Sequence, residues 1–203
     1  MVLKLRSFLL SATLIALSVS AAGPAFSEIA PPPPQLKEQN RPPRAALLDN
    51  LFSELARSRN EAEGKAIETA IEQIWLQSGS PSIDILMQRG LEAFEAKNYE
   101  RAFFYFNEVV VLAPEFAEGW HKRATVYYVQ NNYSRALADL EHVLRLEPRQ
   151  FVAMGGLALL LEELGDKKSA LEVFRHALAI NPWLDGAAQT EKSLSLDVEG
   201  RGI

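Results

Sequence analysis

The sequence predicts an all-α protein in which antiparallel helix pairs stack into an array, and the strongest indication is a period of 34 residues. Beyond residue 43 the prolines are separated by 33, 34 and 34 residues, and they are Pro81, Pro114, Pro148 and Pro182. Small residues recur at the same step, at Gly90, Ala124 and Ala158 and again at Ala102, Ala136 and Ala170. A period of this length is typical of helix–turn–helix arrays. No segment shows the sustained two-residue alternation that indicates a strand, so no sheet is expected.

The recurring positions have a mechanical explanation. A small residue inside a helix lets the two helices of a pair approach closely, and a proline stops the second helix before the next pair. Large residues recur between them, at Phe106, Leu140 and Phe174, and should fill the space between helices. We therefore expect three units, at 83–116, 117–150 and 151–184, with tight turns beginning at Lys97, Asn131 and Gly165 and with Ser82 as the N-cap of the first helix.

The segments on either side of these units differ from them. Residues 45–80 carry two apolar helical stripes but no small residues in register, so they predict a divergent helical hairpin, a degenerate repeat that caps the array. Whether this hairpin is a true fourth repeat stays open. Residues 185–203 predict a weak capping helix to about Leu196 and then a polar tail, because the last unit of a solenoid needs a polar outer face.

The N-terminus has the composition of an export signal. Lys4 and Arg6 precede an apolar stretch from Phe8 to Val19, and small residues end at Ser27. This order is typical of a secretory signal peptide spanning 1–27. The alternative, an uncleaved membrane anchor, is disfavoured because the apolar stretch is about a dozen residues and a span needs ~20. Residues 28–44, with Pro31–Pro34, predict an extended proline-rich linker, or alternatively a ligand for a proline-recognising partner.

Charge and cysteine content narrow the possible functions. The chain carries a net charge of −5, and removing the two basic groups of 1–27 makes it −7, which fits neither nucleic acid nor an anionic membrane surface. Without cysteine there is no disulfide and no thiol chemistry. An export signal on such a chain favours a soluble protein of the bacterial periplasm, although a eukaryotic secreted origin also fits.

The repeat positions resemble the tetratricopeptide repeat (TPR). The unit at 117–150 matches best, and its matching residues are Trp120, Ala124, Tyr127, Tyr133, Ala136, Leu140, Val143 and Pro148. The unit at 83–116 has Ala93 where the family usually has an aromatic, and residues 45–80 match poorly. The resemblance implies a right-handed superhelix of helix pairs whose concave face receives a peptide or a helix of a partner protein.

Carrying the family's groove positions over to this chain gives eight candidate binding residues: Met87, Leu91, Phe94, His121, Thr125, Tyr128, Leu159 and Glu162. Family members that grip a terminal carboxylate have Lys and Asn in this groove. Here Met87, Leu91, His121 and Thr125 stand at those positions. The resemblance therefore implies an apolar or basic ligand segment and no carboxylate capture.

No arrangement of residues predicts catalysis, a metal or a cofactor. His142 and His176 lie one repeat apart, which is too far for one metal ion, and no third ligand is close to them. The acidic pairs have no nucleophile or phosphate-binding loop beside them. The sequence thus favours an exported, non-enzymatic interaction scaffold with a protein or peptide partner and no small-molecule substrate. The alternative is a structural component of an envelope assembly that self-associates through the face of the aromatic run Phe103–Phe106 or through the terminal helices. An envelope enzyme is the least favoured reading.

Overall fold

The computed structural model describes residues 43–200, and every regular element in that range is an α-helix. The helices are α1 (Arg44–Leu55), α2 (Glu61–Trp75), α3 (Pro81–Glu95), α4 (Tyr99–Leu112), α5 (Ala117–Val129), α6 (Tyr133–Leu146), α7 (Phe151–Glu163), α8 (Lys167–Ile180) and α9 (Ala187–Glu199). The all-α prediction is confirmed for this part of the chain. The predicted signal peptide and all but the last two residues of the predicted linker lie outside the described residues. Among the helices of 43–200, none combines the length and apolarity needed to cross a bilayer.

Helices α3 to α8 form three antiparallel pairs, and the small residues of the repeat lie where each pair is closest. Ala102, Ala136 and Ala170 are fully buried. At Gly90 the approach is closest, because an added Cβ would lie 2.4 Å from Cε1 of Phe106. The side chains between the helices thus interlock around the positions that the period identified.

The turns inside the pairs share one backbone conformation, with a positive φ at the same step of the repeat. The φ angles are 57° at Lys97, 58° at Asn131 and 84° at Gly165. In the first pair a lysine adopts this conformation, although it is one that asparagine and glycine tolerate best. The neighbouring Asn98 has another task, because its side chain accepts a hydrogen bond from the Arg101 N–H and caps α4.

The N-cap of α3 lies two residues before the predicted one. Pro81 occupies the first helical position, and Ser80, not Ser82, is the N-cap residue. Proline suits this position because its missing N–H would have no partner there. The Asp84 carboxylate accepts hydrogen bonds from the backbone N–H and the hydroxyl of Ser78, which holds the preceding loop against α3.

Helices α1 and α2 pack as a hairpin, and this hairpin also contacts the third pair. Its apolar core is shared with the start of α7, where the rings of Trp75 and Phe151 have centroids 5.1 Å apart. The Phe52 ring lies 6.4 Å from Phe151, edge to face. The hairpin therefore packs against the third pair, far along the sequence from α3.

Hydrogen bonds and one missing Cβ explain this placement. Asn181 Nδ2 donates to Glu68 Oε2 at 2.9 Å, and Trp183 Nε1 donates to Ser58 Oγ at 2.6 Å. The Trp183 ring lies directly over Gly64, where any larger residue would collide with it. Because the hairpin lacks small residues in the register of the repeat, it cannot stack as a further unit, and Gly64 instead receives Trp183.

Helix α9 extends through the first part of the predicted polar tail, to Glu199. Arg175 on α8 donates to both carboxylate oxygens of Glu199, and Lys167 pairs with Asp197. These ion pairs attach the end of α9 to α8, which the apolar pattern alone did not indicate.

Candidate functional site

A small apolar cavity lies between α5 and α7. Its volume is about 130 Å³, and its walls are formed by His121, Ala124, Thr125, Tyr128, Leu140, Gly156 and Leu159. The α5 residues are spaced three and four apart, so they share one face of the helix. Leu159 is 45% exposed and forms the open edge, and Gly156 leaves its floor without a side chain.

A buried polar network forms one end of the site. His121 Nδ1 lies 3.2 Å from Glu118 Oε1, and since a carboxylate can only accept, we assign the proton to Nδ1. Gln150 Nε2 donates to Glu118 Oε2 at 3.0 Å, and its Oε1 accepts from the Ala153 N–H and caps α7. The network therefore joins the beginnings of α5 and α7 and fixes the spacing of the cavity walls.

Glu118 carries its charge in this buried place. Burial by itself raises the pKa of the Glu118 carboxyl, but the charges and hydrogen bonds of His121 and Lys122 outweigh it and hold the pKa well below its usual range. Lys122 Nζ lies 2.9 Å from Glu118 Oε1. The carboxylate is thus fully engaged with its neighbours, and its role is structural.

The opposite end of the cavity is acidic. Burial raises the pKa of Tyr128, and the negative charges of Glu163 and Glu162 on α7 raise it further. Glu162 and Glu163 follow Leu159 by three and four residues on α7, so the two carboxylates lie one helical turn beyond the cavity on the same face of that helix. Thr125, which also lines the cavity, donates its hydroxyl to the His121 carbonyl.

The structure brings together half of the predicted groove residues. His121, Thr125, Tyr128 and Leu159 line this one cavity. His121 is a buried wall residue of the cavity, and its Nδ1 is hydrogen-bonded to Glu118. Glu162 is half-buried and lies beside the cavity without lining it.

The three candidates on α3 lie elsewhere. Met87 is buried in the core of the first pair, so its assignment to the groove is wrong. Leu91 and Phe94 pack against the same core, and the Phe94 ring lies 5.4 Å from that of Tyr99. Family register places these positions on the inner side of α3, but the α3–α4 packing draws Met87 inward.

A second, larger cavity continues from the first and was not predicted. Its volume is about 590 Å³, and it lies between α2, α7 and the start of α9. It shares His121, Gly156 and Leu159 with the first cavity, and its other lining residues include Glu68, Glu72, Val152, Leu184 and Asp185. The unmatched register of residues 45–80 indicated that the hairpin is not an ordinary repeat, but nothing in the sequence showed that α2 would form a groove wall.

An alanine Cβ at Gly155 or Gly156 would be at ordinary contact distance from the nearest side-chain atoms, 3.6 Å and 3.9 Å away, so close packing of α7 requires neither glycine. In the aromatic run Tyr105 and Phe106 are buried, whereas Phe104 is 58% exposed. Within residues 43–200, no group of His, Asp and Glu side chains is arranged to hold a metal ion.

Comparisons with known proteins identify the family. A tetratricopeptide repeat family model matches residues 121–182. A TPR repeat-containing protein of Rhizobium etli is 37% identical over 147 residues, which are 72% of this chain and 72% of that protein. The Hsp70-Hsp90 organizing protein of Triticum aestivum is 31% identical over 98 residues, which are 48% of this chain and 17% of that protein.

Solved structures agree with this at the level of the fold. The Arabidopsis OM64 TPR domain superposes with a TM-score of 0.54 at 24% identity, covering 56% of this chain and 93% of that one. The first TPR of Spaghetti, bound to the HSP90 peptide SRMEEVD, superposes with a TM-score of 0.55 at 16% identity, covering 58% of this chain and 93% of that one. The period, the helix pairs and the Rhizobium relative together show that this chain belongs to the tetratricopeptide repeat family.

Proposed function

We propose that this protein is a non-enzymatic interaction module that holds a peptide segment of another protein against α5 and α7. The observation that carries the proposal is the apolar cavity between the two helices, with Tyr128 and the exposed Leu159 at its open side. A cavity of about 130 Å³ accommodates a single apolar side chain. Such an anchor residue, entering a pocket on a rigid scaffold, is the usual basis of peptide recognition.

The charges around the cavity favour a basic or neutral segment over an acidic one. Glu162 and Glu163 lie one helical turn after Leu159 on α7, and Glu68, Glu72 and Asp185 line the adjoining cavity. The HSP90 peptide bound by the Spaghetti TPR domain is acidic. The ligand proposed for this chain differs from it in charge, because the carboxylates named above would repel an acidic peptide.

The test is a selection of peptides from a random displayed library, followed by affinity measurements on variants. Leu159→Glu should weaken the selected peptides at least about tenfold, because it removes an apolar contact of about 1.5–3 kcal/mol and adds a charge at the anchor. Ile85→Glu is the matched control, since Ile85 is 51% exposed on α3 and lines neither cavity. Peptides that bind Leu159→Glu as well as wild type would refute the assigned groove.

We also propose that the protein acts outside the cytoplasm, in the bacterial envelope, after removal of 1–27. The support is the order of charged, apolar and small residues at the N-terminus. N-terminal sequencing of the protein from its native host should find a mature chain beginning near residue 28. A cytoplasmic, full-length chain would contradict the proposal.

A second candidate function is self-association through α4, and exposed apolar side chains favour it. Phe104, Val111 and Leu112 are 58%, 66% and 61% exposed, and Phe104 and Val111 are two helical turns apart on the same face. Sedimentation of wild type and Phe104→Ser/Val111→Ser over a range of concentrations tests it. A wild-type monomer at every concentration would exclude it.

A further inference from the structure

Helix α2 turns the open concave face of the third pair into a walled groove. Lys65 Nζ lies 2.8 Å from Asp185 Oδ1 and 3.1 Å from Glu68 Oε2, and Glu68 also accepts from Asn181. These bonds attach α2 to the segment between α8 and α9, beside α7. The cavity of about 590 Å³ between α2 and α7 falls within the size range of ligand sites in proteins.

The two sides of this cavity differ in chemistry. Val152 and Leu159 on α7, together with Leu184, form an apolar side. The facing side carries the carboxylates of Glu68 and Glu72 from α2. A ligand group that fits both sides needs an apolar stem and a positive end.

The Glu72 side chain is the carboxylate in this cavity that is available to a ligand. It takes part in none of the side-chain hydrogen bonds or ion pairs within residues 43–200, whereas Lys65 is shared by Glu68 and Asp185 and Lys122 pairs with Glu118. Burial raises the pKa of Glu72, and the negative charges of Glu68 and Glu118 raise it further, although the positive charges of Lys122 and Lys65 act in the opposite direction. An additional cation beside Glu72 would therefore relieve an unfavourable concentration of negative charge.

From these observations, and resting on the proposed peptide-binding function, we infer that the cavity between α2, α7 and α9 receives a lysine or arginine side chain of the bound peptide. Its alkyl stem lies along Val152 and Leu159, and its charged group lies at Glu72. Lysine and arginine commonly bury their stems on apolar surface while the charge finds a polar partner. The anchor residue in the smaller cavity and the basic residue in the larger one then give the groove a two-point specificity.

The test uses the peptides selected by display and a charge-removing change on each side. In each peptide the basic residue is replaced by norleucine, which keeps an alkyl chain and lacks the charge. On the protein, Glu72→Gln removes the charge with little change in volume, and Glu54→Gln, on the exposed side of α1, is the matched control. Affinities are measured by fluorescence anisotropy at low and high salt.

On wild type and Glu54→Gln, the norleucine replacement should weaken binding about tenfold at low salt, and less at high salt. On Glu72→Gln it should have little further effect, since the two groups act on each other. Selected peptides without a basic residue would overturn the inference, and so would an equal loss of affinity on Glu72→Gln and on wild type. In either case, weaker binding to Leu159→Glu would still support the groove itself. If Leu159→Glu has no effect either, the proposed function fails with it.

Discussion

Replacing Gly64 with alanine should loosen the hairpin of α1 and α2 from the rest of the protein. An added Cβ would lie 2.0, 2.4 and 2.5 Å from the Cδ1, Cγ and Nε1 atoms of Trp183. These atoms belong to the rigid ring and its attachment point, and Nε1 is also bonded to Ser58 Oγ at 2.6 Å. The ring must therefore leave its place, or α2 must move away from it.

Two effects of opposite sign decide the magnitude. Alanine is more favourable than glycine inside a helix by about 1 kcal/mol. Inserting a methyl group into a filled site typically costs about 1–3 kcal/mol, and loss of the Ser58 hydrogen bond adds about 1 kcal/mol. We expect the free energy of unfolding to fall by about 1–3 kcal/mol. Gly156→Ala is the matched control, because its nearest neighbour, Leu140 Cδ2, is 3.9 Å away and alanine should stabilise α7 by about 0.5–1 kcal/mol.

The assay is urea unfolding followed by far-ultraviolet circular dichroism, which does not depend on the tryptophan as a probe. Gly64→Ala is also measured in a Trp183→Ala background. With the ring gone, the alanine should change from destabilising to stabilising. The reasoning is refuted if Gly64→Ala raises the unfolding midpoint as Gly156→Ala does, or if removing the ring leaves its effect unchanged.

Three further predictions concern the packing of the units. Asp139→Asn should lower the free energy of unfolding by about 2 kcal/mol, because it removes the charge partner of the partly buried Arg123. In the wild type the Arg123 guanidinium lies 2.8 Å from both carboxylate oxygens of Asp139. Arg175→Gln, on the exposed face of α8, is the control and should change the urea midpoint little. Glu118→Gln should be most destabilising at neutral pH: the folded-state pKa of Glu118 is depressed, so its contribution is present above the ordinary value of 4.5 and is lost as pH falls below it. The urea midpoints of wild type and Glu118→Gln should therefore begin to converge as pH falls below about 4.5 and continue to converge as pH falls through the depressed folded-state pKa, and a gap that stays constant would contradict the assignment. Gly90→Ala should lower the free energy of unfolding by about 1–3 kcal/mol, because its Cβ would collide with the ring between α3 and α4, and unchanged thermal and urea midpoints would disprove that contact.

Local signals account for the parts of the site that the sequence predicted. His121, Thr125 and Tyr128 share one face of α5 because they are three and four residues apart, and Leu159 is placed by the same repeat on α7. Met87 was misassigned because the choice between groove and core depends on how deeply α3 packs on α4, and that depth follows from the missing Cβ at Gly90. A repeat pattern predicts which face of a helix a residue lies on, but it does not predict how deeply that residue is buried.

The sequence by itself determined the helices, their pairing and the family, since each depends on contacts between residues close in the chain or one repeat apart. Only the tertiary structure decided where the N-terminal hairpin packs. Its contacts join residues more than one hundred positions apart, Glu68 to Asn181 and Ser58 to Trp183. Such contacts depend on the shape of the assembled array, which no local spacing encodes, and they turn the predicted open concave face into a groove walled by α2.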